Sequence, residues 1–380
     1  MTAHPAIQWL CPDLVFDGER LHAGLAIGFA NGHVEKVIPT AALTGTAART
    51  RLSGTVTPGF IDLQVNGGGD VLLNNDPTAG GMRTIAAAHR RFGTVGLLPT
   101  LITDVPEALN RAVEAALAAK GSEGILGLHI EGPHISIARR GTHARQFVRP
   151  LDDATIAHVD RLRAAGIVVM ITVAPEAVRK GQIARLAATG AIVSIGHSDA
   201  TAEATEAAVA EGAQCFTHLF NAMSPMLNRA PGVTGAAINS TVYAGFICDG
   251  HHVADSMLAL AIRARPVPDR MFIVSDAMST VGGSDGFTLY GQKIRLVEGR
   301  LINAEGSLAG AHITMAESVA RLITRIGLAP EQALRMAVTN PARLIGASNL
   351  ARIEHRSAAD LMVLGPDWQM TGSCADVVSS

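Results

Sequence analysis

The chain is poor in cysteine and in aromatic residues, and it carries no strong excess of charge. Its four cysteines, Cys11, Cys215, Cys248 and Cys374, lie far apart and form no CxxC pair, so a disulfide-dense scaffold is excluded and a reducing cytoplasm is expected. The formal net charge is −2 and the sequence pI is about 6.7. With no basic stripe and no acidic tail, the sequence gives no indication of a nucleic-acid or membrane partner.

Targeting signals and long apolar runs are also missing from the sequence. The first residues lack the charged-then-apolar pattern of a secretion signal, and no apolar run approaches the roughly 18 residues that span a bilayer. We therefore expect a soluble cytoplasmic protein. The chain has 380 residues, of which 48% are hydrophobic, which is enough for one barrel-sized domain and a small second one.

The two ends of the chain predict a small β domain. Short apolar runs near the N-terminus are separated by turn residues, and Asn31-Gly32 is typical of a tight hairpin. A sheet this small needs a partner to bury its face, and a strand-like segment at 359–364 supplies one. We predict a small β-sandwich domain from residues 1–57 plus 351–380, and a catalytic domain over 58–350.

Strand-like and helix-like segments alternate through the central part of the chain. Residues 286–304 interrupt the alternation with a hairpin that turns at Glu298-Gly299, and 231–242 has a less regular helical pattern. The alternation favours an α/β fold, a parallel (β/α)₈ TIM barrel, with a doubly wound open sheet as the alternative. The predicted strands are 56–65, 95–103, 125–131, 168–175, 192–197, 215–220, 243–249 and 271–276, and the predicted helices are 79–91, 106–120, 152–165, 177–189, 201–211, 254–265, 313–326 and 330–345.

The ends of the predicted strands carry polar side chains. The stretch ILGLHIEGPHIS at 125–136 shows the pattern most clearly, because an apolar run stops at Glu131 and Gly132-Pro133 then turns the chain. A single carboxylate in this position is usually a solvated surface group. The active site of a barrel lies at its C-terminal strand ends, so the recurrence of such residues there indicates a functional site. The residues in question are Gln64, Asn66, Thr100, Asp104, Glu131, Glu176, His197, His218, His251, His252 and Asp276.

Three of these residues form a candidate metal site. Taken alone, His197 and His218 could each be a hydrogen-bonded structural histidine, but with Glu131 they make a His₂Glu set. Such a set suits one catalytic divalent ion with an open position for water. Zn²⁺ is the first expectation from the ligand types, and Fe²⁺, Mn²⁺ and Co²⁺ stay open. Asp276 is either a helix N-cap or the group that takes a proton from that water.

Basic residues in two loops indicate an anionic substrate. Arg229 is either a solvated arginine or, together with His252, a grip on an anion, for which a guanidinium is well suited. His143 lies in a loop with Arg139, Arg140 and Arg145. That loop is either a mobile basic segment or a lid that orders over the substrate.

Several of these motifs resemble those of a known family. PGFID at 58–62 looks like the entry to the first barrel strand in the amidohydrolase superfamily. A longer series resembles the N-acetylglucosamine-6-phosphate deacetylases of that superfamily, and it runs in order along most of the chain. It comprises GLHIEGPH at 127–134, GHSD at 196–199, THLFNAM at 217–223, DGHH at 249–252, VSDA at 274–277, GSLAG at 306–310 and TNPA at 339–342.

The resemblance implies removal of acetate from the 2-acetamido group of a sugar 6-phosphate. It implies one divalent metal ion per subunit held by Glu131, His197 and His218, with Asp276 as general acid/base and His143 near the amide carbonyl. It also implies a homodimer in which the neighbouring subunit completes the phosphate pocket around Arg229 and His252. The full set of implied substrate contacts is Thr142, His143, Asn221, Ala222, Arg229, Asp249, His252, Leu308, Ala309 and Gly310.

One departure from the superfamily pattern bears on the metal count. Many members end the first strand with His-x-His, which binds a second ion, whereas this chain has Gln64 and Asn66 there. Amides are poor ligands beside imidazole, so one metal is favoured. Three alternatives stay open. They are an N-acetylgalactosamine-6-phosphate deacetylase, a cyclic-amide hydrolase such as a dihydroorotase, for which no strand-end lysine is present, and a barrel that binds sugar phosphates without catalysis.

Overall fold

The computed structural model describes residues 7–44, 49–304, 306 and 308–378. Its strands are β1 Gln8–Phe16, β2 Leu21–Ala23, β3 Leu25–Ala30, β4 His33–Pro39, β5 Arg49–Pro58, β6 Phe60–Val65, β7 Gly67–Gly68, β8 Val71–Leu72, β9 Thr94–Ile102, β10 Gly127–Glu131, β11 Val168–Val173, β12 Ile192–Ile195, β13 Cys215–Phe216, β14 Tyr243–Phe246, β15 Met271–Ile273, β16 Gly286–Leu289, β17 Gln292–Val297, β18 Arg300–Ile302, β19 Leu308–Ala311, β20 Leu361–Leu364 and β21 Met370–Ser373.

Helices alternate with the central strands. They are α1 Ala79–Arg90, α2 Pro106–Ala118, α3 Asp153–Ala164, α4 Gln182–Ala188, α5 Ala202–Glu211, α6 Gly232–Asn239, α7 Asp255–Ala264, α8 Met315–Thr324, α9 Pro330–Leu334, α10 Asn340–Leu344 and α11 Cys374–Val378, with a π-helical turn, Arg335–Thr339, joining α9 to α10. In the part of the chain that is described, no helix is long and apolar enough to cross a membrane.

Eight parallel strands form the predicted barrel. Their order is β6-β9-β10-β11-β12-β13-β14-β15, and each strand pairs in parallel with the next. The barrel closes where the segment after β15 returns to β6: Ala277 bridges Val65, and the Asp276 N–H donates to the Gln64 carbonyl at 3.0 Å. Strands β6, β9 and β10 are buried along their whole length, as expected of parallel strands covered on both faces. The TIM-barrel prediction is confirmed and the open-sheet alternative is wrong.

Several barrel strands end earlier than predicted. We expected strands over 192–197, 215–220 and 271–276, whereas β12, β13 and β15 stop at Ile195, Phe216 and Ile273. The physical reason is the backbone at the following residues: His197, His218 and Asp276 have φ values of 49°, 30° and 50°. A left-handed residue cannot continue an extended strand. These side chains therefore lie on the turns just beyond the strands.

The small domain is built on one seven-stranded sheet to which both ends of the chain contribute. The order is β21-β20-β5-β1-β3-β4, with β2 on β1, and β20 pairs antiparallel with β5. The predicted hairpin at Asn31-Gly32 joins β3 to β4, with both residues left-handed. Leu10, Ile27 and Val363 belong to a core of its own. We propose the domain limits 1–57 plus 351–380 and 58–350; the first includes positions 1–6, 45–48, 379 and 380, which lie outside the described residues.

Two other local predictions differ from the structure. The predicted hairpin at 286–304 is part of a four-stranded sheet, β16-β17-β18-β19, whose turn between β17 and β18 does fall at Glu298-Gly299. The fourth strand, β19, returns to the barrel, since Ala311 bridges Ala277 next to Asp276. Helix α4 starts at Gln182 rather than at 177, because the chain first forms a short 3₁₀ turn at Pro175–Ala177, Val178 is extended, and Gly181 with a left-handed φ of 87° directly precedes the helix.

Candidate active site

Three donor atoms meet at the C-terminal end of the barrel. Glu131 Oε1 lies 3.1 Å from His197 Nε2 and 3.0 Å from His218 Nε2, and the two imidazole nitrogens are 3.1 Å apart. All three side chains are buried. The residues come from the ends of β10, β12 and β13, so the barrel brings together groups that are far apart in the chain. This is the His₂Glu set that the sequence predicts.

The donor atoms of Glu131, His197 and His218 are suited to bind a positive charge between them. His197 Nδ1 donates to the main-chain carbonyl of Arg139 at 2.9 Å, so the neutral ring turns the lone pair of Nε2 towards Glu131. Burial alone would raise the pKa of Glu131, but the contacts of its carboxylate with the His197 and His218 side chains hold that pKa well below its usual range. Burial alone would lower the pKa of His218, but the contact with Glu131 raises it. A divalent cation supplies the positive charge that these shifts favour.

His143 lies close to the same atoms, but its Nε2 carries a hydrogen that can be donated. Donor atoms of Glu131, His143 and His197 all lie within 4.8 Å of one another, so His143 is a further candidate ligand. Its Nδ1, however, accepts the Thr103 N–H at 3.4 Å and lies 2.7 Å from Thr103 Oγ1. Burial is the main cause that holds the pKa of His143 well below its usual range, so the ring is neutral. Its proton is therefore on Nε2, where it can be donated to a substrate oxygen.

Asp276 lies beside the His₂Glu group without joining it. Its Oδ1 accepts from Asn66 Nδ2 at 2.7 Å and from Gln64 Nε2 at 3.1 Å. Burial and the negative charge of Glu131 raise the pKa of Asp276 to about 6. A carboxylate with such a pKa can both accept and return a proton near neutral pH, which is what general acid–base catalysis requires.

Left-handed backbone is concentrated at this site. His197, His218, Phe220, Ala222 and Asp276 all have positive φ, although none of them is glycine. Each such conformation costs of order 1–3 kcal/mol and persists only where the surrounding structure enforces it. These turns place the side chains of His197, His218 and Asp276 at the C-terminal end of the barrel.

A cavity of about 210 Å³ opens over these residues. The four-stranded sheet contributes Leu308 and Gly310 to its wall, and the basic loop contributes Thr142 and His143. Three cavity residues, Ile102, Gly141 and Met278, were not predicted, since apolar and glycine residues carry no chemical signal of their own and the resemblance did not imply these three. The predicted residues that line the cavity are Asn66, Glu131, Thr142, His143, His197, His218, Asn221, Ala222, His252, Asp276, Leu308 and Gly310.

Four predicted substrate or second-metal residues do not line this cavity. Ala309 is buried, and Gln64 lies behind Glu131 and Asp276. Asp249 lies behind His252: its Oδ2 is 2.6 Å from His252 Nδ1, and its Oδ1 accepts the His252 N–H at 2.9 Å. Burial alone would raise the pKa of Asp249, but these contacts lower it to about 2. Arg229 is exposed on the loop before α6.

Among the remaining polar strand-end residues, Glu176 supports the turn that carries His197. Its two oxygens accept from Ser198 Oγ at 2.7 Å and from the Asp199 N–H at 2.6 Å. The Asp199 carboxylate accepts from Arg139 Nε at 2.7 Å, and the Arg139 carbonyl holds His197. Thr100, Asp104 and His251 do not line the cavity; Thr100 Oγ1 instead accepts the Val65 N–H at 2.9 Å.

The barrel, the His₂Glu group and the adjacent buried aspartate define a metal-dependent hydrolase of the TIM-barrel class. Residues 55–378 match the amidohydrolase family, and the chain belongs to that family.

Relatives and solved structures agree with this assignment. The chain is 40% identical over 322 residues (84% of this chain and 81% of the relative) to the N-acetylgalactosamine-6-phosphate deacetylase of Shewanella sp. (strain ANA-3). It is 35% identical over 353 residues (90% and 91%) to the N-acetylglucosamine-6-phosphate deacetylase of Haemophilus influenzae. A structure of a mutant N-acetyl-D-glucosamine-6-phosphate deacetylase of Mycobacterium smegmatis, in complex with N-acetyl-D-glucosamine-6-phosphate, superposes with a TM-score of 0.87 at 33% identity, covering 97% of both chains.

Proposed function

We propose that this hydrolase removes acetate from N-acetyl-D-glucosamine 6-phosphate, yielding D-glucosamine 6-phosphate. The observation that carries the proposal is the convergence of Glu131, His197 and His218 beside Asp276 at the base of one cavity. The Haemophilus influenzae and Mycobacterium smegmatis proteins, which are named for this activity, support it across nearly the whole chain.

The metal ligands in this proposal are Glu131, His197 and His218, with one ion per chain. His143 is left out of the ligand set because its Nδ1 accepts the Thr103 N–H, which leaves the proton on Nε2. Imidazole and carboxylate donors suit Zn²⁺ best, and they also accept Fe²⁺, Mn²⁺ or Co²⁺. When bound, such an ion supplies Lewis acidity that activates water and polarises a carbonyl group.

The chain's own residues then move the proton and stabilise charge. Asp276 takes a proton from the water that attacks the acetamide carbon, and delivers it to the amine nitrogen as the carbon–nitrogen bond breaks. His143 Nε2–H donates to the carbonyl oxygen as negative charge develops there. Water thus provides one oxygen of acetate and one hydrogen of the amine, its other proton is released when the acetic acid ionises, and Asp276 ends in its starting state.

His252 and Arg229 bind the phosphate in this proposal. His252 lines the cavity and is held by Asp249, which fixes its orientation. Arg229 is exposed, on a loop where Met226 and Leu227 are also exposed by 44% and 57%. Apolar side chains beside a guanidinium that has no hydrogen-bond partner among the described residues suit a subunit contact, so we propose a homodimer in which Arg229 reaches the cavity of the partner subunit.

N-acetyl-D-galactosamine 6-phosphate is the second candidate substrate. The Shewanella protein at 40% identity is named for that epimer, which supports this candidate. The two sugars differ in the configuration of one hydroxyl, and both place the same acetamide over the same catalytic groups.

The retained His₂Glu set and Asp276 argue against a barrel that binds sugar phosphates without catalysis. A cytoplasmic location is part of the proposal and is supported by four free cysteines.

Acetate release from the two epimeric sugar phosphates tests the proposal. Zinc-loaded protein is incubated with each epimer, and acetate and free amine are measured together. We expect equal amounts of acetate and amine, with a higher kcat/KM for the glucosamine substrate. A higher kcat/KM for the galactosamine substrate would reverse the choice of epimer, and no acetate from either would reject deacetylation.

A further inference from the structure

Gln64 joins the two carboxylates of the active site through a single amide group. Its Nε2 donates to Glu131 Oε1 at 2.9 Å and to Asp276 Oδ1 at 3.1 Å. The side chain is 1% exposed, so water does not substitute for either contact. Glu131 Oε1 is the same atom that faces His197 and His218, so the amide touches the metal-facing oxygen itself.

The chemistry of the partners determines the orientation of this amide. An ionised carboxylate only accepts hydrogen bonds, and a carboxamide has two N–H donors on one nitrogen. Both donors are therefore used, one for each carboxylate. A glutamine in this position can connect two acidic groups without adding charge, which neither a lysine nor an acid can do.

We propose that Gln64 is a positioning residue that couples the metal ligand Glu131 to the proton-transferring carboxylate Asp276. This inference rests on the metal set and the role of Asp276 given under the proposed function. Through one N–H, Gln64 holds the Glu131 oxygen towards His197 and His218. Through the other, it holds Asp276 Oδ1, leaving Oδ2 for the reacting atoms.

Asn66 makes one of the two contacts that Gln64 makes. Its Nδ2 donates to Asp276 Oδ1 at 2.7 Å and lies 3.4 Å from the Asp276 carbonyl, and among the described residues it makes no hydrogen bond to Glu131. Both amides therefore hold Asp276, whereas only Gln64 also holds the metal ligand. The two residues form a matched pair for mutation.

The charged groups around Asp276 explain why the residue that joins the two carboxylates is uncharged. Asp276 faces Glu131, His218 and His252, and the charge of Glu131 disfavours its ionisation. A donor on Asp276 offsets that repulsion, while a full positive charge in the same place would lower the pKa of the carboxylate further and make it a weaker proton acceptor. The neutral amide leaves Asp276 able to accept the proton and to release it.

Zinc affinity tests the coupling without any substrate. Metal-free wild type, Gln64→Met and Asn66→Ala compete with a fluorescent zinc chelator, and thermal unfolding checks that each variant is folded. Loss of a hydrogen bond that orients a ligand weakens metal binding roughly 10- to 100-fold. We expect that loss for Gln64→Met and a clearly smaller loss for Asn66→Ala, because the Asn66 amide contacts Asp276 and, among the described residues, no member of the His₂Glu group.

Turnover provides the second readout. Both variants lose a donor to Asp276, so kcat falls in both, and the acid limb of the kcat profile moves to higher pH with KM for the sugar phosphate little changed. Unchanged zinc affinity in Gln64→Met, or equal loss in both variants, would overturn the coupling. If Gln64→Met does not fold, Gln64→Asn replaces it, because that amide is one methylene too short to reach both carboxylates.

The two readouts also separate this inference from the proposed function. Wild type that binds zinc but releases no acetate would reject the deacetylase proposal, while the zinc affinities would still confirm or overturn the Gln64–Glu131 contact. Wild type that binds no zinc would overturn both.

Discussion

His197 and His218 point their Nε2 atoms at each other across 3.1 Å, and both atoms lie equally close to Glu131 Oε1. Because His197 gives its Nδ1–H to the Arg139 carbonyl, its neutral ring has no hydrogen for these contacts. Three electron-pair donors held this close are stable around a shared positive charge. Asp276 lies beside these atoms, where it can exchange a proton with a water bound among them.

Loss of Glu131 should empty the metal site. The Glu131→Ala variant keeps two imidazoles but loses the only carboxylate donor of the set, so we expect zinc content after dialysis to fall well below one ion per chain. Elemental analysis measures this. Glu114→Ala is the control, because Glu114 pairs with Arg161 in an exposed ion pair. Full zinc occupancy in Glu131→Ala would remove Glu131 from the ligand set.

Asp276→Asn should separate metal binding from turnover. The asparagine is nearly isosteric but cannot accept a proton, so we expect wild-type zinc content and a fall in kcat of roughly 10²- to 10⁴-fold, the usual contribution of general acid–base catalysis. Steady-state kinetics and elemental analysis on the same sample provide the comparison. A kcat near that of wild type would show that another group moves the proton.

Activity should fall as the pH is lowered through the pKa of Asp276. This group must be ionised to take a proton from water, and burial with the charge of Glu131 raises its pKa to about 6. A bound cation favours the ionised form, so the acid limb of the profile should lie at or below about pH 6. The pH dependence of kcat measures it, and Asp276→Asn should lack that limb. An acid limb well above pH 7 would contradict the assignment.

Arg229→Ala should impair phosphate recognition selectively. Because guanidinium groups bind phosphate through charge-assisted hydrogen bonds, we expect KM for the sugar phosphate to rise at least about tenfold. KM and kcat for unphosphorylated N-acetylglucosamine should change little. Equal effects on both substrates would show that Arg229 acts on the fold or the subunit contact and not on the phosphate.

Much of this site could be predicted because its chemistry is carried by unusual residue types at strand ends. Glu131, His197, His218 and Asp276 stand where apolar runs stop, and parallel strands bring such positions to one edge. The left-handed turns at His197, His218 and Asp276 could not be predicted, because they depend on tertiary contacts made by non-glycine residues. The predicted strands consequently ran too long.

Contacts between distant residues were also beyond the sequence. Gln64 and Asn66 read as poor metal ligands, and only the closed barrel shows that both amides hold Asp276. Glu176 stood out as a strand-end acid, but it braces Ser198 and Asp199. A single sequence reports which residue types are present, whereas their pairing across the barrel depends on register and packing.

Buried histidine should make the fold sensitive to acid. His89 is fully buried, its Nε2 lies 2.8 Å from the Gly67 carbonyl, and burial lowers its pKa to about 4. Below pH 6.5 His89 binds a proton in the unfolded chain but stays neutral in the native state. The free energy of unfolding therefore falls as the pH is lowered from about 6.5 to about 4. Between pH 6.5 and 5 this amounts to roughly 1–2 kcal/mol, since each pKa unit is worth about 1.4 kcal/mol and the unfolded histidine is already half protonated at pH 6.5.

His89→Gln should reduce that acid sensitivity. Glutamine can still donate to the Gly67 carbonyl but does not titrate, so its free energy of unfolding should fall less than that of wild type between pH 6.5 and 5. Urea unfolding at the two pH values measures the difference. The same pH dependence in both proteins would show that His89 is not protonated on unfolding in this range.

Zinc titration of the metal-free protein, followed by acetate release from N-acetyl-D-glucosamine 6-phosphate, tests the central claim most directly. We expect activity to rise linearly from a negligible value and to reach its plateau at one zinc ion per chain. A plateau at two ions per chain would contradict the single site formed by Glu131, His197 and His218, and full activity without metal would contradict metal-dependent hydrolysis altogether.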